Sequence, residues 1–157
     1  MSKKIIGIDP GENGGIAIMT DDGVATAMKM PATMADIYHS LSDVLHSAPE
    51  GCEVVCYLEK VGFGMPGQSS KATAKFARHN GHLEMALFAL GIKTNEVTPQ
   101  KWIKHYQLGK SSDHSKTEWK NMLKSKCQQL FPKMKVTLSV CDALLIAEYG
   151  RIKEVGK

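Results

Sequence analysis

Three acidic residues stand where acids do least for folding. Asp9 closes the β-branched run Ile5-Ile6-Gly7-Ile8 and precedes the breakers Pro10 and Gly11. Glu59 closes a second apolar run over 54–58, and Asp142 lies near the front of a third, CDALLIA. Asp is disfavoured in strands, and a carboxylate loses hydration in apolar surroundings. Three carboxylates brought to one point repel unless a cation sits among them. Oxygen-only ligands suit Mg²⁺ or Mn²⁺. Two such ions ~3.5–4 Å apart can activate water and stabilise a leaving oxygen in phosphodiester hydrolysis. Each acid also has a plain structural alternative. Asp9 can stabilise a turn, and Glu59 can be a solvated strand end. Ser139-Val140-Cys141-Asp142 fits the S-x-x-D capping box, with Ser139 capping the last helix and Asp142 in its first turn. Only a fold that gathers all three distinguishes chemistry from structure.

The elements that must do this are legible in outline. Residues 4–19 read as a β-hairpin turned by Pro10-Gly11 and Gly14-Gly15, with Asp9 at its mouth. A third strand over 24–30 follows an Asp-Asp-Gly turn. A helix over 33–47 carries Met34, Ile37, Leu41, Val44 and Leu45 at helical spacing. Glu53–Glu59 is a fourth strand, and 62–70 a Gly-rich loop. A long helix over 71–90 has the stripe Phe76, Leu83, Leu87 and Leu90, with Gly91 as its C-terminal stop. Gly81 within it costs ~1 kcal/mol relative to Ala and marks a close backbone approach. Lys93–Val97 is a fifth strand. Thr98 caps a short helix with Pro99 at its first position. After a polar loop over 109–115 come a helix over Lys116–Leu130, stopped by Pro132, and a buried final helix over 141–152. This order predicts an α/β mixed sheet with helices on both faces. The fourth strand, reached through a helical crossover, lies parallel to a strand of the meander.

The 157 residues and formal net charge of +4 suit one domain, 1–157, that tolerates nucleic acid without demanding it. No apolar run nears the ~20 residues of a membrane span, and the N-terminus passes straight into a strand, with no signal peptide expected. Cys52, Cys56, Cys127 and Cys141 lack paired C-x-x-C spacing, so free thiols in a reducing cytoplasm are expected rather than zinc. His79 and His82 lack ligand partners and read as packing or surface residues. Lys116, Lys120 and Lys124 recur every four residues along one helix flank, preceded by Lys101, Lys104 and Lys110. Such a row is a solvated face unless phosphates approach the acids, in which case it supplies the cations they need.

IIGIDPG..GGIA, CYLEKV and CDALLIAEYG, in that order, resemble the three signature blocks of RuvC-type Holliday junction resolvases in the RNase H-like superfamily. The likeness is greatest to short phage and prophage forms, and MPGQSS and VTPQKW add to it. It runs from Lys4 to about Gly150. The resemblance implies a five-stranded sheet in 3-2-1-4-5 order and a homodimer in a bacterial or phage-infected cell. It also implies cutting of four-way DNA junctions with Mg²⁺ or Mn²⁺, two ions per site. It makes Asp9, Glu59 and Asp142 the catalytic metal ligands. The family's usual fourth acid, or a His, falls here at Ser139 or Leu138, leaving Ser139 a weak neutral candidate. The resemblance places DNA-backbone lysines in this region, with Lys104 and Lys116 the first choices among Lys101, Lys104, Lys110, Lys116 and Lys120. In the loop after Glu59 it places them at Phe63, Met65, Gln68 and Lys71, with Phe63 near the position of a junction-probing aromatic. A junction-binding dimer with feeble cleavage and an RNA-processing nuclease of the same superfamily are the competing readings. A duplicated-fold ATPase is disfavoured, because the chain holds one copy and no G-x-x-x-x-G-K-[ST] loop.

Overall fold

A computed structural model describes residues 1–156. The strands are β1 (Lys3–Asp9), β2 (Gly15–Thr20), β3 (Ala25–Lys29), β4 (Glu53–Glu59) and β5 (Lys93–Val97). The helices are α1 (Met34–His46), α2 (Ser70–Ala89), α3 (Pro99–His105), α4 (Lys116–Leu130) and α5 (Leu138–Val155). The sheet runs β3-β2-β1-β4-β5. β1, β2 and β3 form an antiparallel meander, while β4 lies parallel to β1 and β5 parallel to β4. Class, strand order and the parallel placement of β4 are as expected from the sequence.

Strand alternation sorts the core into two layers. Ile6, Ile8, Ile16, Cys56 and Leu58 pack with Ile37, Leu41 and Val44 of α1 and Leu83, Ala86 and Leu87 of α2. Ile5, Ala17, Met19, Val55 and Tyr57 face the other way, onto Trp102 of α3, Leu123 and Cys127 of α4, and the run Ala143–Ala147 of α5. α5 is the most buried helix, and Leu144, Leu145 and Ile146 have no exposed surface. Each such side chain contributes about 1.5–3 kcal/mol of burial.

Two glycines let α5 lie this close. A β-carbon on Gly7 would collide with the Ala143 carbonyl oxygen and the Ala147 amide nitrogen, and would lie 2.8 Å from Ala147 Cα. A β-carbon on Gly15 would lie 2.6 Å from the Ser139 carbonyl oxygen and 2.9 Å from that of Met28. The strand glycines thus seat the front half of α5 directly on β1 and β2.

Three expectations need correction. The last helix begins at Leu138, three residues before the expected start, with Thr137 at the N-cap. Ser139 therefore lies inside the first turn. Its hydroxyl pairs with that of Thr137 at 3.0 Å and does not cap the helix. The S-x-x-D pattern misleads because the Thr137 carbonyl already accepts from the Val140 and Cys141 amides, at 3.3 and 3.1 Å, which starts the helix ahead of Ser139. Gly81 is not a point of close approach, since a β-carbon there would meet nothing within 4 Å. Met34 faces solvent, at 63% exposure, instead of joining the α1 stripe. The stop at Gly91 is as expected. Its φ is +68°. The Ile92 amide bonds the Leu87 carbonyl and the Gly91 amide that of Phe88, each at 3.0 Å, which is the Schellman pattern.

Candidate active site

The parallel register carries the first two acids to one edge. Ile8 pairs with Leu58, so Asp9 and Glu59 follow them one for one. By alternation both lie on the sheet face shared with Gly7 and Tyr57, the face that α5 covers. Asp142, one helical turn beyond Ser139, comes in from above. Asp9, Asp142, Ser139, Cys141 and Leu138 line a cleft of about 440 Å³ together with Asn13, Lys29, Lys120 and Leu123. Glu59 is set apart from its lining. It is buried at 8% exposure, and its Oε2 accepts a 2.6 Å hydrogen bond from Trp102 Nε1.

All three carboxyls resist ionisation. Burial, then the charges of Asp142 and Glu59, push Asp9 up to about 8. Burial raises Glu59 to about 7, opposed by the Trp102 hydrogen bond and reinforced by Asp142. Burial also raises Asp142, against a hydrogen bond from Cys141 and the charge of Lys120. The three acids therefore feel one another. Among the described residues, however, no three His, Cys, Asp or Glu side chains already form a metal cage. The donor set fits a hard divalent cation in chemistry, being all oxygen and short of positive charge. Lys120 offsets part of Asp142 alone.

The folded values of Asp9 and Glu59 lie above the ordinary 3.8 and 4.5. The folded chain thus holds protons that the unfolded chain has released. The associated stability is complete below about pH 4 and is lost as pH rises to about 8. The melting temperature of metal-free protein should fall between about pH 5 and pH 8. Added Mn²⁺ should raise it most at the upper end, where the carboxylates are ionised. A melting temperature flat across that range and indifferent to Mn²⁺ would contradict this.

The sequence-predicted DNA contacts divide. Lys120 reaches the cleft, whereas Lys101, Lys104, Lys110 and Lys116 are exposed outside its lining. Lys124 is partly buried. Phe63 and Met65 are exposed at 53% and 57%. Gln68 and Lys71 are exposed beside the start of α2, where the Ser69 side chain accepts from the Ala72 amide. His79 and His82 are both half-buried on α2, as read. Ser139 does line the cleft. Because it is not the cap, Ser139→Ala should shift the melting temperature by less than about 2 °C, within the ordinary range of a substitution that breaks no cap. A loss of a full cap's worth would restore the capping role.

Sequence reasoning missed Lys29, Asn13 and the Trp102 bond to Glu59. The signal for Lys29 lay in the meander register. Asp9 pairs with Gly15, and Gly15 pairs with Lys29. Asp9 and Lys29 thus stand in one row across the sheet, on one face, with only a glycine between them.

No protein-family profile and no curated protein sequence matches the chain. Solved structures do. RuvC of Thermus thermophilus in complex with a Holliday junction substrate superposes with a TM-score of 0.64 at 17% identity, over 98% of this chain and 96% of that one. A second structure of Thermus thermophilus RuvC gives 0.60 at 17% identity over the same shares. The chain shares the fold of these RuvC structures, an α/β sheet of five strands in the order β3-β2-β1-β4-β5.

Proposed function

We propose that the protein is a divalent-metal-dependent endonuclease that resolves four-way and other branched DNA junctions. The observation that carries this reading is the convergence of Asp9 and Asp142 on one cleft, with Glu59 buried at the end of the adjacent strand, on a fold shared with a junction-bound RuvC. Asp9, Glu59 and Asp142 would hold Mg²⁺ or Mn²⁺, two ions per site, with Ser139 as a weak neutral neighbour. Such ions, when bound, supply water activation and stabilisation of the leaving 3′ oxygen. The chain's own part is to hold three carboxylates on rigid elements and to draw the phosphate backbone towards them. Trp102 fixes Glu59 by its indole N–H. Lys120 and Lys29 offer positive charge at the cleft, while Lys101, Lys104, Lys110 and Lys116 extend it over the surface. Phe63 and Met65, with Gln68 and Lys71 beside them, form an exposed apolar tip that can wedge between unstacked bases at a branch point.

Resolution of a junction needs two sites related by two-fold symmetry. α2 supports a homodimer, because it keeps Met85 and Phe88 exposed at 61% and 80% beside the open Gly81. Among the described residues no helix is long and apolar enough to cross a membrane. All four cysteines are free, which fits a reducing bacterial or phage-infected cytoplasm.

Lys29→Ala and Lys120→Ala should each weaken binding to all junction sequences alike and reduce the slope of log K against log salt by roughly one. Unchanged slopes would return both to the solvated surface.

The test of function is incubation of labelled four-way DNA junction with the protein in Mg²⁺. Paired, religatable nicks with 5′-phosphates are expected. Tight binding without cutting would favour the junction-binding dimer, a reading supported by the neutral Ser139 and the absence of a ready cage among the described residues. Preference for a four-way RNA junction would favour RNA processing.

A further inference from the structure

We infer that Phe76 of α2 is a positioning residue that links the exposed Phe63 loop to the turn carrying Asp9; this rests on the nuclease reading above. The turn between β1 and β2 is built tightly on Asp9. Gly11 has a φ of +111°, and the Gly14 amide closes the turn onto the Gly11 carbonyl at 3.0 Å. A β-carbon on Gly14 would collide with the Asp9 carbonyl oxygen. A shift of this turn therefore moves Asp9, and Asn13 of the same turn lines the cleft.

α2 holds the turn from outside. A β-carbon built on Gly11 would lie 3.4 Å from Phe76 Cε2, so the ring covers that glycine. One residue earlier, Lys75 Nζ pairs with Glu12 Oε2 at 2.5 Å. This ion pair is exposed and worth little alone, so the apolar contact of α2 with the turn rests on the Phe76 ring over Gly11. The same ring meets Phe63, with centroids 5.9 Å apart and planes tilted by 56°. Phe63 is half in solvent on a Gly-rich loop. An aromatic pair of this geometry is weak enough for stacking on a base to replace it. Phe76 is thus shared between the residue that senses the branch point and the turn that places a catalytic acid. Engagement of Phe63 by DNA changes what Phe76 packs against, and so changes the support under Gly11.

A double-mutant cycle tests this. Single-turnover cleavage of saturating four-way junction in Mg²⁺ is compared for wild type, Phe63→Ala, Phe76→Ala, the double variant and Phe76→Tyr. Junction affinity and melting temperature are measured for each. Each single alanine is expected to slow cleavage roughly tenfold, and the double variant no more than the slower single, because both cut one linkage. Phe76→Ala should keep wild-type junction affinity, and Phe76→Tyr, which keeps the ring, should restore the rate. A double variant slowed by the product of the singles would overturn the inference while leaving the nuclease reading intact. So would a Phe76→Ala rate loss mirrored in junction affinity. A wild type that binds but never cuts would overturn both.

Discussion

Asp9→Asn should lower junction cleavage by about a thousandfold or more while leaving junction binding at wild-type strength. The substitution removes one anionic oxygen from a site whose use depends on gathering several. It adds no bulk, and the amide reaches the same space. The same change should make the metal-free protein more stable at about pH 8, by on the order of 2 kcal/mol. Burial and two neighbouring carboxylates push Asp9 up to about 8, so an ionised Asp9 works against the fold, and a neutral amide relieves that. Gain of stability with loss of activity is the signature of a group retained for function at a cost in folding. A turn-stabilising Asp9 behaves oppositely: Asn would keep activity and stability would not rise. Cleavage rate and melting temperature on one preparation separate the two.

Gly7→Ala should destabilise the protein by about 3 kcal/mol or more, at the upper end of overpacking costs. That lowers the melting temperature by roughly 6–12 °C for a chain of this size. The new methyl group would meet the Ala143 carbonyl, the Ala147 amide and Ala147 Cα. All of these are backbone atoms, so no rotamer change can make room. The only relief is to lift α5 off β1, and α5 carries Asp142. Protein that remains folded should therefore also cut poorly. Gly81→Ala is the natural control. Its β-carbon meets open space on a helix, so it should stabilise by about 0.5–1 kcal/mol. Equal melting temperatures for the Gly7 and Gly81 variants would show that the contact of α5 with the sheet is looser than described.

Much of this architecture was legible because local pattern and tertiary fold agree. EVVCYLE and KTNEV form strands at the expected bounds, and Lys116–Leu130 is a helix whose Ser115 cap and Glu118 complete a capping box. The acids were legible for the opposite reason: Asp9 and Glu59 break the apolar pattern at strand ends, where packing has no use for a charge. The front of α5 was misread because two signals competed there. S-x-x-D is a local motif, but the helix starts earlier, where the Thr137 carbonyl accepts from the Val140 and Cys141 amides, and its first turn rests over Gly15, distant in sequence. Lys29 was invisible for a related reason. Its place beside Asp9 depends on the register of three strands, and a single-residue slip would send it to the other face. Trp102 lay within a recognisable segment, but its hydrogen bond to Glu59 arises only when α3 folds over β4.

In the proposed site Asp9, Glu59 and Asp142 act together as the ligands of a divalent cation. The most direct measurement is Mn²⁺ binding to DNA-free protein at about pH 8, followed by loss of the free-ion paramagnetic resonance signal, for wild type and Asp142→Asn. Three carboxylates that resist ionisation alone should take up the cation cooperatively with proton release. Wild type should bind Mn²⁺ with an affinity that strengthens as pH rises, and Asp142→Asn should lose that binding while keeping its fold. Wild-type protein that binds no Mn²⁺, or a variant that binds it as well as wild type, would contradict the account.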